Sequence, residues 1–139
     1  MSIIAHERIA RASGTEWQPT EEQEQATVIE WKVLMEKQFP ELHWLHHVPN
    51  GGERHPAVAA KMKAQGVVPG VPDLDLPVPR CGYHGLRIEM KRRKGGRLSE
   101  DQKEWIDGLN ANGYLAVVCN GSDEACDVIY KYLTESYER

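Results

Sequence analysis

Hydrophobic and polar positions along the chain fall into short blocks whose period changes, and the changes mark out the elements. Residues 1–18 hold no sustained period and predict a loose or weakly helical arm, which leaves 19–139 as the folded domain. Thr20 followed by Glu21, Glu22 and Glu24 has the form of an N-cap with acids in the first helical turn. Val28, Ile29, Val33 and Met35 continue an apolar face, predicting a helix over 21–38 that stops before Pro40. Leu42 to Val48 reads as a strand, and Pro49-Asn50-Gly51-Gly52 as the loop after it. Pro56 suits a first helical turn, the residues to Gln65 are good helix formers, and Gly66 supplies a left-handed stop.

The stretch Val67 to Pro72 holds two prolines and a glycine within four residues and cannot be regular structure, so Asp73 opens the next strand, Asp73 to Val78. After a turn at Cys81 to Gly85, Leu86-Arg87-Ile88-Glu89-Met90-Lys91 alternates apolar and charged residues as a half-buried strand does. Ser99 and Gln102 form a capping-box pattern ahead of an apolar face at Trp105, Ile106 and Leu109, which ends at Asn112-Gly113. Tyr114 to Cys119 is a buried-type strand, and Ser122 begins a last helix through Val128, Ile129 and Leu133. The order α, β, α, β, β, α, β, α implies an α/β (α+β mixed) fold: a mixed four-stranded sheet flanked by helices.

Composition agrees with one globular domain, since 139 residues can bury a core without staples and the content is 40% hydrophobic and 27% charged. No apolar run has the length of a membrane span, and the first residues lack the apolar stretch of a secretory signal, so we expect an intracellular protein with no membrane partner. Cys81, Cys119 and Cys126 form no CxxC pair, and His43, His46 and His47 lack a second ligand pair at zinc-site spacing.

Charge changes the picture more. The net charge of −4 argues against bulk attraction to nucleic acid, yet residues 31–97 carry twelve bases against six acids. The densest part, Arg87, Lys91, Arg92, Arg93, Lys94 and Arg97, is a candidate phosphate-facing patch, with a solvated basic loop as the plain alternative.

Strand alternation carries this toward chemistry. Arg87, Glu89 and Lys91 emerge on one face while Leu86, Ile88 and Met90 face the core, so a carboxylate and an ammonium are neighbours. Hydrolysis of a phosphodiester needs a hard cation to neutralise phosphate oxygens and to lower the pKa of an attacking water. Mg²⁺ keeps several of its waters and needs only one or two carboxylates. Asp73, at the start of one strand, and Glu89, on its hairpin partner, could supply them. Asp75 shares the strand face of Asp73 and competes for that role. Lys91 could hold or polarise the attacking water or steady the pentavalent phosphate. The plain reading of the same residues is a turn carboxylate and a surface charge pair.

Taken together, Asn50-Gly51-Gly52, Lys61 and Lys63, Gly66, Gly70-Val71-Pro72-Asp73-Leu74, Leu86-x-Ile88-Glu89-x-Lys91, Ser99-x-x-Gln102 and Gly113-Tyr114 resemble the VRR-NUC branch of the PD-(D/E)xK nucleases, from about Thr20 to Leu133. The resemblance implies a restriction-endonuclease-like core with the 56–65 helix as an insertion. It implies metal ligation by Asp73 and Glu89, a catalytic Lys91 and an active-site Gln102, whose capping role is an equally complete explanation. It also implies a glutamate near the metal on the first helix, followed four residues later by a glutamine. Glu21 with Gln25 fits that spacing, and Glu22 and Glu24 compete. Asn50, Arg54, Lys61 and Lys63 resemble positions near the substrate, where sugar-phosphate contact suits their chemistry better than base reading.

The expected activity is therefore Mg²⁺-dependent endonuclease action, with Mn²⁺ substituting, on branched or structured DNA. Stand-alone members resemble Holliday-junction resolvases, and a two-fold junction calls for a homodimer. The alternatives are a monomeric flap or nicking nuclease, a DNA-binding module with a vestigial site, and a hydrolase of small phosphate esters, for which the basic stretch 87–97 would be superfluous.

Overall fold

The computed structural model describes residues 2–13, 17–49 and 55–139, with the backbone alone for residues 10–13. Its helices are α1 (Ile3–Ser13), α2 (Glu21–Met35), α3 (Pro56–Ala64), α4 (Glu100–Ala111) and α5 (Ser122–Leu133). Its strands are β1 (His46–His47), β2 (Leu74–Leu76), β3 (Leu86–Lys91) and β4 (Leu115–Asn120). The four strands form one sheet in the order β1-β2-β3-β4. β1 and β2 pair antiparallel, as do β2 and β3, while β3 and β4 pair parallel through the crossover helix α4. This is the mixed sheet flanked by helices that the element order implies.

One face of the sheet supplies the core. Leu74, Leu76, Leu86, Ile88, Met90, Leu115 and Cys119 are buried, and α2 and α5 close over them with Val28, Ala125, Ile129 and Tyr132. Tyr132 ties this layer to the end of the hairpin by donating its hydroxyl to Val78 O at 2.6 Å. Burial also pushes the Cys119 and Cys126 thiols up to about 12, so both stay protonated and unreactive. No described helix is long and apolar enough to cross a membrane.

Three segments depart from the sequence expectation. The strand expected over Leu42 to Val48 is instead a 3-10 helix, Pro40–Trp44, with only two residues of strand after it. Pro40 opens that turn, and Leu42 and Leu45, three apart, both bury their side chains. A three-residue period places both on one side, which strand alternation would not. The expected strand Asp73 to Val78 contracts to Leu74–Leu76, bounded by Pro77, although Asp73 O still accepts from Val48 N at 2.8 Å and so prolongs the pairing with β1. The segment read as a loose or weakly helical arm forms α1. Its His6 ring stacks on Trp17 with centroids 4.9 Å apart, and its Glu7 pairs with Arg93.

Candidate active site on the helix α4 side of the sheet

The hairpin register builds the site. Leu74 pairs with Ile88 and Asp75 with Arg87, so continuing the ladder by one residue sets Asp73 opposite Glu89. Side chains opposite each other in an antiparallel pair share a face, and here that face is the one turned away from α2 and α5. Asp73 Oδ2 accepts from Met90 N at 2.8 Å, which fixes the carboxylate against β3. The loop leading to it is held close to α4. Gly70, at φ +89, packs so tightly that a Cβ there would lie 2.5 Å from the backbone carbon of Asp101.

Glu89 and Lys91 are buried, at 2% and 6% exposure, although strand alternation suggested a charged face open to solvent. Residues beyond the strand cover them. Gly96 passes over Lys91 at a distance where a Cβ would sit 2.9 Å from Lys91 Cβ, and α4 brings Gln102 onto Glu89. Lys91 Nζ lies 3.6 Å from Glu89 Oε1 and 3.9 Å from Glu21 Oε1.

Gln102 makes both contacts that the sequence left as alternatives. Its Oε1 accepts from Ser99 N at 2.9 Å and Ser99 Oγ accepts from Gln102 N at 3.1 Å, completing the capping box. Its Nε2 meanwhile donates to Glu89 Oε1 at 2.7 Å. The amide is thus oriented by the helix start and gives one of its two N–H donors to the buried carboxylate.

The glutamates at the start of α2 separate in space. Glu21 reaches toward Lys91, and Glu22 is exposed. Glu24 is fully buried, with Oε2 3.2 Å from Arg93 Nε and Oε1 3.4 Å from the Ser122 hydroxyl. That pair joins residues 69 apart in sequence and fastens α2 to the end of β3. Sequence reasoning had no signal for it.

The basic residues divide likewise. The Arg93 guanidinium is engaged by Glu24 and Glu7. Arg92 and Arg97 line a cleft of about 550 Å³ shared with Thr20, Glu21, Gly95 and Gly96, beside Lys91. Lys94 is exposed at its side chain, while Gln18 brackets its backbone N and O at 3.1 and 3.2 Å. Lys61 and Lys63 sit on α3, a helix with no buried residue, in the connection that leads to Asp73. Asn50 and Arg54 lie outside the described residues. His46 and His47 direct Nδ1 to backbone carbonyls, of Trp44 at 2.8 Å and of Asp73 at 2.7 Å.

Electrostatics show what the site lacks. Burial pushes the Glu89 carboxyl up to about 8, the Asp73 and Glu21 charges add to the rise, and Lys91 opposes it. Burial also raises Asp73, against the lowering effect of the Met90 N–H, His47 and Lys91. Glu89 Oε2 is buried and has no hydrogen-bond partner among the described residues. Two carboxylates in such a place need either a proton shared between them or a cation. Among the described residues no three His, Cys, Asp or Glu side chains converge as a ready ligand set. A cation here would draw the rest of its shell from water and substrate oxygens, which is the habit of Mg²⁺. The donor set therefore fits a hard divalent ion.

The model of the VRR-NUC domain family matches residues 6–123. This chain is a member of the VRR-NUC family. A solved structure described as a VRR_NUC domain protein is 36% identical, with a TM-score of 0.72 over 85% of this chain and 91% of that one. A search of curated proteins found no match. VRR-NUC membership makes the domain a nuclease with DNA as its substrate class, and the restriction-endonuclease-like fold read from the sequence is the fold of this VRR-NUC relative.

Proposed function

We propose that this VRR-NUC domain is a Mg²⁺-dependent, structure-specific endonuclease that cuts branched DNA, of the Holliday-junction type, as a homodimer, with Mn²⁺ able to replace Mg²⁺. The observation that carries the reading is the Asp73–Glu89 carboxylate pair, Glu89 buried and Asp73 half-buried, with a Glu89 Oε2 that has no hydrogen-bond partner among the described residues and with Lys91 and Gln102 on its other oxygen. Asp73 and Glu89 would hold the ion, with Glu21, at the open rim beside Lys91, as a third candidate ligand. When bound, the ion neutralises phosphate oxygens and supplies a water of lowered pKa.

The chain's own residues do the rest. Gln102 occupies Glu89 Oε1 and so leaves Oε2 for ligation. Lys91, oriented between Glu89 and Glu21, presents its ammonium to the attacking water or to a non-bridging phosphate oxygen, where it offsets charge that grows toward the transition state. Arg92 and Arg97 line the cleft beside Lys91, and they, with Lys94, Lys61 and Lys63, suit phosphate contact, which positions a duplex without reading its sequence. Arg93, whose guanidinium holds Glu24 and Glu7, serves the scaffold in this reading. Branch shape then sets selectivity. Paired cuts at a two-fold junction require two sites, and the exposed Val33 and Leu34 on α2 offer apolar surface for a second copy. DNA as substrate and three free cysteines both accord with an intracellular site of action.

The test is incubation of labelled four-way junctions, flaps and nicked duplexes with Mg²⁺, comparing wild type with Glu89→Ala and Lys91→Ala, alongside the mass in solution. Junction cleavage by a dimer that both substitutions abolish is the expected outcome. Equal cleavage by all three proteins would overturn the site, and flap cleavage by a monomer would overturn the junction and dimer assignments.

A further inference from the structure

One cation on the face of the reacting carboxylates has no settled partner. Arg87 precedes Glu89 by two residues on β3 and points to the same side of the sheet, so it sits about 7 Å along the strand. Its side chain is only 13% exposed. Among the described residues its guanidinium, which carries five N–H donors, makes no hydrogen bond, and its Nε is buried without an acceptor. The nearest acid is Asp75, opposite it in the register, with Oδ1 3.7 Å from Arg87 Nε. That is an ion-pair distance too long for a hydrogen bond. Asp75 also lies 3.7 Å from His46 Nε2 and so stands between two basic groups.

Nε alone is buried without an acceptor, while the outer N–H donors of the fork are open to solvent and so available to an incoming acceptor. The acceptor must reach into a face already shared with Asp73, Glu89 and Lys91. An anionic acceptor can enter there only once the Asp73–Glu89 pair is offset by a proton or a cation, the condition under which a substrate would be bound. A phosphate oxygen of the strand being cut meets the requirement, since the residue spacing between Glu89 and Arg87 resembles the spacing of successive phosphates along a chain. The planar fork of arginine matches a phosphate with two parallel hydrogen bonds.

We propose that Arg87 binds the phosphate next to the scissile one, and that Asp75 holds the guanidinium in place until the substrate arrives. The assignment rests on the nuclease reading of the neighbouring carboxylates and extends it to the register of the cut. Asp75, engaged with Arg87 and His46, then serves as a positioning residue and leaves ligation to Asp73. Neither role follows from sequence spacing, which offered Arg87 only as part of a basic stretch and Asp75 only as a rival ligand.

The experiment is equilibrium binding of a fluorescent four-way junction in EDTA, titrated with NaCl, for wild type, Arg87→Gln, Arg87→Lys and Asp75→Asn, with urea unfolding of each. One lost phosphate contact should reduce the slope of log K against log salt by about 0.9 for Arg87→Gln. Affinity should fall roughly tenfold or more, as for a charge-assisted hydrogen bond. Arg87→Lys should keep the slope and lose part of the affinity, and Asp75→Asn should keep the slope and weaken binding severalfold, because the guanidinium loses the contact that holds it in place. Loss of stability in both Arg87→Gln and Asp75→Asn with an unchanged slope would mark the pair as structural and overturn the proposal. If wild type binds and cleaves junctions while Arg87→Gln matches it, only this inference fails. If wild type binds no DNA at any salt concentration, the nuclease reading fails, and this inference fails with it.

Discussion

Replacing Glu89 by glutamine should stabilise the metal-free protein at alkaline pH while removing its response to Mg²⁺. The Glu89 carboxyl is raised from an ordinary 4.5 to about 8, chiefly by burial. An acid with a raised folded-state pKa holds its proton more tightly folded than unfolded. Folding stability is therefore full below pH 4.5 and falls as pH rises toward 8. Each unit corresponds to about 1.4 kcal/mol, so the shift amounts to about 5 kcal/mol as a ceiling, since Asp73 shares the same proton. Glutamine keeps an oxygen for Gln102 Nε2 and presents an amide donor to Asp73, removing the charge. It also leaves the buried Lys91 ammonium, 3.6 Å from Glu89 Oε1, without its closer partner, which offsets part of the gain. The net expectation at pH 8 in EDTA is about 2 kcal/mol of added stability, against almost none at pH 5.

Urea unfolding at pH 5, 6.5 and 8, each with EDTA and with Mg²⁺, reads this directly. Taking the difference between variant and wild type cancels contributions common to both proteins. Mg²⁺ should stabilise wild type more at pH 8 than at pH 5, because ligation requires deprotonated carboxylates, and should leave Glu89→Gln nearly unmoved. Wild-type stability that stays flat from pH 5 to 8 in EDTA, with Glu89→Gln less stable at every pH, would refute the reasoning. It would mean that the carboxylate pair is settled without an ion.

Gln102→Ala removes both halves of its double role. Ser99 Oγ still caps the backbone N–H of residue 102, so loss of the reciprocal bond from Ser99 N should cost no more than about 1 kcal/mol in urea unfolding, and cleavage should fall much further than stability, as seen by comparing initial rates at saturating Mg²⁺. Glu24→Ala leaves Arg93 facing a void and unfastens α2 from β3. With Arg93 38% exposed at its side chain, about 2 kcal/mol is expected, while Glu22→Ala, at the exposed neighbour, should stay within about 0.5 kcal/mol. Gly70→Ala places a Cβ 2.5 Å from the Asp101 backbone at a φ of +89. It should cost about 2 kcal/mol or more and raise the Mg²⁺ concentration needed for cleavage, because the strained loop ends at Asp73.

Elements that rest on local physics were legible in the sequence. The alternation of Leu86 to Lys91, the cap at Ser99, the Gly113 stop and the Pro72 break each set a boundary or a face that the structure keeps. The segment at Leu42 was misread because four apolar or aromatic residues near a proline fit a strand as well as a 3-10 turn. Only tertiary packing of Leu42 and Leu45 decides between them. Burial of Glu89 and Lys91 could not be read from β3 at all. It comes from Gly96 and Gln102, which arrive from beyond the strand's end, and alternation within one strand carries no information about what crosses its polar face.

Gln102 illustrates why the site was only half legible. In sequence, its capping role and its place beside the carboxylates compete, because a complete explanation by one removes the need for the other. In space they cooperate. The cap consumes the amide oxygen and fixes the plane of the group, so the Nε2 donor points at Glu89 with its rotamer already restricted. A glutamine free of the cap would have to lose that rotamer freedom on meeting the carboxylate, at up to about 2 kcal/mol. The start of helix α4 therefore pre-orients the hydrogen bond that occupies Glu89 Oε1 and leaves Oε2 as the open carboxylate oxygen. A local rule satisfied in full can for that reason conceal a functional contact, and the two are separated only by a substitution that spares one of them. Gln102→Glu retains the oxygen needed by Ser99 N but sets an anion against Glu89. It should keep α4 capped while forcing the carboxyl cluster to hold another proton, and an unchanged pH profile of cleavage would show that the two roles are independent.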